Sequence, residues 1–403
     1  MPISNTLVTY LDHLVCSACR ISLSADALHS TCPDCGSPLR VQYDLDQARS
    51  GLDRDRLASR TDRLWNWREL LPIRDPACIA DLGEGGTPLL HARRLGQSLG
   101  LAELWLKDEG FNPTGTFKAR GMAVAISRAI ELGACEFVVP TAGNAGGAAA
   151  HYAARAGARV HVYMPKDAPI ANRAECELAG AEVVLVDGLI DAAGALAARH
   201  ARERGWFDLS TLREPYRVEG KKTMGYEIAH QLGWRPPDVV VYPTGGGTGL
   251  IGLWKAFEEM RALGWIDGQR PRLIAVQAAG CAPVHRAFQA GADRCELWPE
   301  AHAEAAGLRV PKPFADRLIL ATLRESGGTT VVVSDADMKC AQGLLGRSEG
   351  ISACLEGAAT IAAVEKLLRA GQIGAGESIV CLNTGTHLKE PHSLWQANTH
   401  ASI

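Results

Sequence analysis

Three short stretches combine reactive side chains with the small residues that expose them. The first is Asn112-Pro-Thr-Gly-Thr-Phe-Lys118-Ala-Arg-Gly121, where a lysine opens a helical run. A cation there opposes the helix macrodipole. The same placement favours the neutral amine, the form that adds to a carbonyl carbon. Taken alone, such a lysine is most often a solvated surface group. The second stretch is Thr141-Ala-Gly-Asn-Ala-Gly146, in which Asn144 either reaches a ligand or caps its own helix. The third, Pro243-Thr-Gly-Gly-Gly-Thr-Gly249, follows a run of valines and precedes a helix expected from Leu250. Its glycines let backbone amides crowd round an anion, and the helix start adds partial positive charge. No Gly-Lys-Ser/Thr ending follows, which argues against a nucleotide P-loop. The loop also lies past mid-chain, whereas a dinucleotide loop follows the first strand of its unit.

A fourth group suggests a metal. Among 12 cysteines, Cys16-Ser-Ala-Cys19 and Cys32-Pro-Asp-Cys35 form two tight pairs. A two-residue spacer lets both thiolates of a pair reach one tetrahedral ion, and four thiolates leave no open position. A structural zinc is expected, with four unliganded thiols as the alternative. The opening segment has too few large apolar residues to build its own core. The other eight cysteines stand singly and read as small core residues.

Positioning these groups requires strands. Leu104–Lys107, Glu136–Pro140, Arg159–Met164 and Glu182–Val186 read as β-rich runs, and so do Asp238–Tyr242, Arg272–Gln277, Thr330–Val333 and Ser378–Leu382. Helical stretches separate them, including one from Lys118 to Leu132 and one from Gly146 to Ala156. That alternation predicts an α/β protein with parallel sheets covered on both faces. Ligands in such folds sit at the carboxyl ends of strands, which is where the glycine and asparagine loops fall.

With 403 residues, the chain has room for two domains and an appendage. A formal net charge of -3 recruits neither nucleic acid nor an anionic membrane. No run approaches the roughly 20 apolar residues of a membrane span, and the first ten residues lack a secretory pattern. A cytoplasmic location is expected.

In this order and spacing, the motifs resemble the tryptophan synthase β-subunit family of pyridoxal phosphate enzymes, also called fold type II. Within it, the chain is most similar to the threonine synthase branch. Thr116-Phe117-Lys118 matches the family's Schiff-base lysine motif, which makes Lys118 the catalytic and cofactor-linking residue. Thr141 to Asn144 matches its Ser/Thr-x-Gly-Asn loop, so Asn144 is expected at the cofactor's 3-hydroxyl oxygen. Gly245, Gly246, Gly247, Thr248 and Gly249 are expected at the phosphate. Thr384-Gly-Thr-His-Leu-Lys389 resembles a Thr-Gly-x-x-Leu-Lys pattern that places Thr384 at the pyridine nitrogen. Glu84-Gly-Gly-Thr-Pro-Leu89 and Arg217-Val-Glu-Gly-Lys-Lys-Thr223 extend the match almost to the whole chain. The cysteine knuckle also occurs in relatives of this branch.

The resemblance implies two doubly wound parallel-sheet domains with an N-terminal zinc-ribbon-like segment. The divisions expected are 1–45 for that segment, 46–110 with 220–403 for the large cofactor-binding domain, and 111–219 for the small one. It implies a homodimer and a small phosphorylated amino-acid substrate, O-phospho-L-homoserine, converted with water to L-threonine and phosphate. Arg217, Lys221 and Lys222 become candidate phosphate anchors, with Thr87 as a weaker one. Thr141, Gly143 and the first amides of the Asn144 helix become candidates for the substrate carboxylate. The same motifs also serve serine, threonine or diaminopropionate ammonia-lyases and cysteate-synthase-like β-replacement enzymes. Two positions depart from the pattern. Ala119 stands where the branch commonly has Asp, and Glu214-Pro215 where it often has Asn-Pro. A carboxylate at the second would repel a substrate phosphate.

Overall fold

A computed structural model describes residues 8–389 apart from Asp62, Leu189 and Gln269. Thirteen described strands run in chain order as β1 (Leu11–Cys16), β2 (Ser22–Ser24), β3 (Leu39–Tyr43), β4 (Leu89–His91), β5 (Leu104–Asp108), β6 (Glu136–Pro140), β7 (Arg159–Pro165), β8 (Glu182–Val186), β9 (Phe207–Asp208), β10 (Val239–Pro243), β11 (Arg272–Ala278), β12 (Thr329–Val333) and β13 (Ile379–Asn383). Runs such as Val239-Val-Val-Tyr-Pro243 are buried at every position, as a sheet covered on both faces requires.

The larger sheet has the order β12-β11-β10-β13-β5-β4. It is parallel except for β4, which pairs antiparallel with β5. From β10 the chain winds outward through β11 and β12, then returns to lay β13 on the other side of β10. The smaller sheet, β8-β7-β6-β9, is wholly parallel and repeats the device, with β9 returning to the far side of β6. Adjacent strands whose connections leave in opposite directions open a crevice at their carboxyl ends. Here the two crevices fall after β10 and β13, and after β6 and β9.

Two helices join the sheets. Lys118–Glu131 and Arg217–Gln231 are buried along nearly their whole length. They cross so closely that a Cβ on Gly220 would lie 1.9 Å from the Arg120 carbonyl oxygen, so no larger residue fits. The expected division at 219/220 falls inside the second of these helices, whose buried apolar residues pack with those of the larger sheet.

The opening segment folds as an antiparallel sheet, β2-β1-β3. It does not stand apart. Leu14, Leu39 and Val41 enter the same apolar cluster as Met122 and Ile126 of the Lys118 helix. Its shortage of apolar residues is made good by sharing the core of the smaller sheet. Among the described residues, no helix is long and apolar enough to cross a membrane.

Candidate active site

Both crevices open into one cleft of about 390 Å³. Its size suits a small ligand. From the larger sheet come the glycine loop after β10 and Thr384 after β13; from the smaller come the Thr141–Asn144 loop after β6 and Thr211 after β9. Lys118, Arg217 and Lys221 line the space between.

Lys118 is placed by backbone pairing across the cleft. The Phe117 amide donates to the Thr384 carbonyl at 3.0 Å, and the Thr386 amide donates to the Gly115 carbonyl at 3.0 Å. The start of the Lys118 helix is thereby tied to the end of β13. The Lys118 Nζ lies 4.3 Å from the Phe117 ring centroid, and the Lys221 Nζ lies 4.3 Å from the same centroid. One aromatic ring carries both amines.

At the glycine loop, Gly247 has φ of 75°, in the left-handed region, and caps the helix Thr248–Ala262. No side chain makes a capping hydrogen bond at that helix start, and a Cβ at Gly247 would lie 2.3 Å from Ile319. Bare amides, a tight turn and a helix N-terminus suit a phosphate. Asn144 is the first residue of the helix Asn144–Arg155, whose cap is Gly143, and no side chain makes the capping bond. Its amide is therefore not spent on the helix. Thr141 braces the loop by accepting from the Gly143 amide at 3.0 Å. The expected helix from Leu250 begins at Thr248, and that from Gly146 begins at Asn144.

Arg217 is 1% exposed. One guanidinium nitrogen donates to the Leu209 carbonyl at 2.7 Å, while Nε has no partner among the described residues. Lys221 is equally buried, and burial, with Arg217 and then Lys118 beside it, holds its pKa well below the usual lysine range. The expected carboxylate–phosphate conflict takes a different form. Glu214 neither faces solvent nor lines the cleft, and its Oε2 accepts from the amides of Tyr216 and Arg217 at 2.7 and 3.0 Å. Ala119 is fully buried and does not line the cleft.

Two expected anchors lie elsewhere. Thr87 sits in a buried ionic network, donating to Glu109 at 2.6 Å and accepting from Arg120 at 3.1 Å. Arg120 also pairs with Glu227 at 2.6 Å, and Lys107 with Glu227 at 2.7 Å. Lys222 turns away from the cleft to pair with Glu219 at 2.7 Å and Glu259 at 2.9 Å. Four residues follow Arg217 by nearly one helical turn and five do not, so Lys221 shares its face and Lys222 does not.

The cleft also holds residues the sequence did not single out. Cys354 is one of the eight cysteines taken as core, yet it lines the cleft 3.6 Å from the Thr384 hydroxyl. Its sulfur accepts from the Gly357 amide at 3.3 Å, and burial pushes the thiol pKa well up. Glu356 lines the cleft and accepts from the Gly307 amide at 2.7 Å. Arg309 and Lys312 add positive charge at the rim. Outside the cleft, the sulfurs of Cys16, Cys19, Cys32 and Cys35 lie within 4.8 Å of one another, an arrangement that could hold a metal ion.

A phosphate cradle, an amine, an amide and a hydroxyl converge on a space that fits pyridoxal phosphate. The model of the family described as "pyridoxal-phosphate dependent enzyme" matches residues 80–385. Threonine synthase from Methanosarcina acetivorans is 36% identical, covering 95% of this chain and 93% of its own. That of Methanocaldococcus jannaschii is 35% identical over 95% and 94% of the two chains. Among solved structures, diaminopropionate ammonia lyase from Escherichia coli covers 97% of this chain and 99% of its own with a TM-score of 0.69, at 19% identity. A likeness that distant speaks for the fold alone. With a cofactor-shaped cleft at the switch points of two parallel sheets and relatives matched nearly end to end, the chain belongs to the pyridoxal-phosphate dependent enzyme family, in its threonine synthase branch.

Proposed function

We propose that the chain converts O-phospho-L-homoserine and water to L-threonine and phosphate, with Lys118 as the catalytic residue. The observation that carries this is the shared ring. Lys118 and Lys221 flank Phe117 at 4.3 Å each, so a reactive amine and a second anion site open on one cleft. A substrate with a carboxylate at one end and a phosphate at the other matches that pair.

In this reading the glycine loop, from Gly245 to Gly249, would hold the cofactor's phosphate, Asn144 its 3-hydroxyl oxygen, Thr384 its ring nitrogen and Lys118 its aldehyde carbon. Bound there, pyridoxal phosphate supplies an electron sink for charge developing at the substrate's α-carbon. Thr141, Gly143 and the first amides of the Asn144 helix hold the substrate carboxylate. With the cofactor bound, the Lys118 amine would take the α proton and assist removal of the β proton. Arg217 and Lys221 draw the departing phosphate from Cγ by charge-assisted hydrogen bonds, and water adds at Cβ. Thr384 would meet the cofactor's ring nitrogen with an uncharged hydroxyl.

The same reading assigns structural zinc to Cys16, Cys19, Cys32 and Cys35. In support, two sulfur pairs stand 3.4 and 3.6 Å apart. A tetrahedron with Zn–S of about 2.3 Å has an edge of roughly 3.8 Å.

Incubating purified holoenzyme with O-phospho-L-homoserine tests the assignment. Equimolar phosphate and threonine are expected. Release of a 2-oxo acid and ammonia from serine, threonine or diaminopropionate, without phosphate chemistry, would assign the scaffold to an ammonia-lyase instead.

A further inference from the structure

Glu214 is 1% exposed at the start of the helix Arg217–Gln231. Its Oε2 caps the Tyr216 and Arg217 amides, but its Oε1 has no hydrogen-bond partner among the described residues. The Arg217 Nε, three residues on and equally buried, is also unmatched. Two incomplete polar groups so close together mark a site whose charge balance is unfinished until something binds. Facing Glu214 are Arg217 and Lys221, both on the helix that follows it. Behind Arg217 stands Asp208 at the end of β9, and behind Lys221 stands Lys118 from the crossing helix. The neighbouring Tyr216 hydroxyl has no hydrogen-bond partner by distance among the described residues, and burial raises its pKa, with Arg128 and Glu131 beyond it.

We propose that Glu214 is a specificity-determining charge gate, so that a doubly negative group docks at Arg217 and Lys221 only with a proton on the Glu214 carboxyl, taken from solvent as the anion enters. The inference rests on the reading that Arg217 and Lys221 receive the substrate's anionic end. The Glu214 side chain does not line the cleft, so it acts through its field on those two cations and through the helix start it caps. Burial lifts its carboxyl pKa to about 7 against the opposing pull of Arg217 and Lys221. A dianion arriving beside those cations raises it further, because like charges in a poorly solvated site oppose ionisation. Near neutrality, about half the molecules are therefore competent for a dianion.

Inorganic sulfate is a suitable probe, since it stays doubly charged where phosphate titrates. Sulfate binding to the holoenzyme, whose glycine cradle is already filled, is measured by calorimetry from pH 6 to pH 8. The wild-type affinity should fall about tenfold over that range, following the protonated fraction of Glu214. Glu214→Gln keeps an oxygen acceptor for the two amides and should flatten that fall. If the variant retains the wild-type slope, Lys221 or another group is titrating and the gate is wrong. An infrared difference spectrum of unmodified holoenzyme at pH 8 needs no variant. Adding sulfate should bring up a protonated-carboxyl band, and its absence would equally overturn the proposal. Arg217→Met separates the two levels of the argument. Unchanged sulfate affinity at pH 6 in that variant would refute the anion-site reading itself, whatever Glu214 does.

Discussion

Replacing Lys221 by methionine should move stability and activity in opposite directions. The amine is fully buried on the Arg217 helix and forms no salt bridge among the described residues, and Arg217 and Lys118 beside it outweigh the opposing pull of Glu214. Its other compensation is the Phe117 ring at 4.3 Å. Methionine keeps the length and most of the contact with that ring while removing the charge. Relief of a poorly compensated buried charge should stabilise the fold by on the order of 1 to 4 kcal/mol. The sign with pH follows from linkage. An unfolded lysine is protonated up to about pH 10.4, whereas Lys221 is held below that, so the wild type pays a penalty at neutral pH that fades as pH nears the ordinary lysine value. The gain in Lys221→Met should therefore be largest near neutrality and below, and shrink toward pH 10. Losing a charge-assisted contact to a phosphate removes about 1.5 to 3 kcal/mol, equivalent to about a 10- to 150-fold fall in kcat/KM for O-phospho-L-homoserine. Thermal unfolding at several pH values and steady-state kinetics read the two effects separately. A lower Tm, or a higher Tm with kcat/KM intact, would show that Lys221 is there for structure.

Borohydride treatment of native holoenzyme followed by peptide mapping should place a pyridoxyl label on Lys118, and Lys118→Ala should lose both the label and turnover; a label on another lysine would reassign the site. Metal analysis should find about one zinc per chain, with Cys16→Ser losing it. Because β1 and β3 bury Leu14 and Val41 beneath the Lys118 helix, that variant should also unfold at a lower temperature, and an unchanged Tm would mean the knuckle is dispensable. Gly247→Ala forces a side chain into a left-handed turn 2.3 Å from Ile319. The backbone strain alone is about 1–2 kcal/mol, and the holoenzyme should lose cofactor on dialysis faster than the wild type; equal retention would detach this turn from the phosphate site.

The parts legible in the sequence share one physical feature. Strand β6 is readable residue for residue because buried parallel strands are continuous runs of β-branched and aromatic residues; β8, an edge strand with no buried position, is legible from its valine-rich run alone, and β10 and β13 are displaced by a single position. By contrast, β9 has two residues and β4 has three, too short to show any period. The glycine loop and the Asn144 loop stood out because small residues abruptly follow such runs. Cys354 gave no such signal. It caps its helix through sulfur as a serine would through oxygen, and a capping thiol has the same local sequence as a core thiol. Arg309 and Lys312 lie on a stretch without regular patterning, so only tertiary folding brings them to the rim. Thr87 illustrates the opposite case. A motif shared across a branch marked it as a ligand contact, whereas its hydroxyl is consumed between Glu109 and Arg120.

The Arg217–Gln231 helix explains why so many charges crowd one segment of an otherwise apolar interior. Its helical period divides them among three separate neighbours. Arg217 and Lys221, four residues apart, face the cleft. Glu219, Lys222 and Tyr226 face Lys255, Glu259 and Tyr43, and the Tyr43 hydroxyl of β3 donates to Glu219 at 2.9 Å. Thr223 and Glu227 receive Arg120 from the crossing helix at 2.9 and 2.6 Å. Two of these clusters are internally neutralised, which is how buried charges are tolerated. The cleft-facing pair is not, with Glu214 as its nearest counter-charge. A segment that satisfies its charges on two sides and leaves an excess of positive charge on the third is poised to receive an anion there. That asymmetry, more than the count of basic residues, supports the proposal that the helix handles a negatively charged substrate.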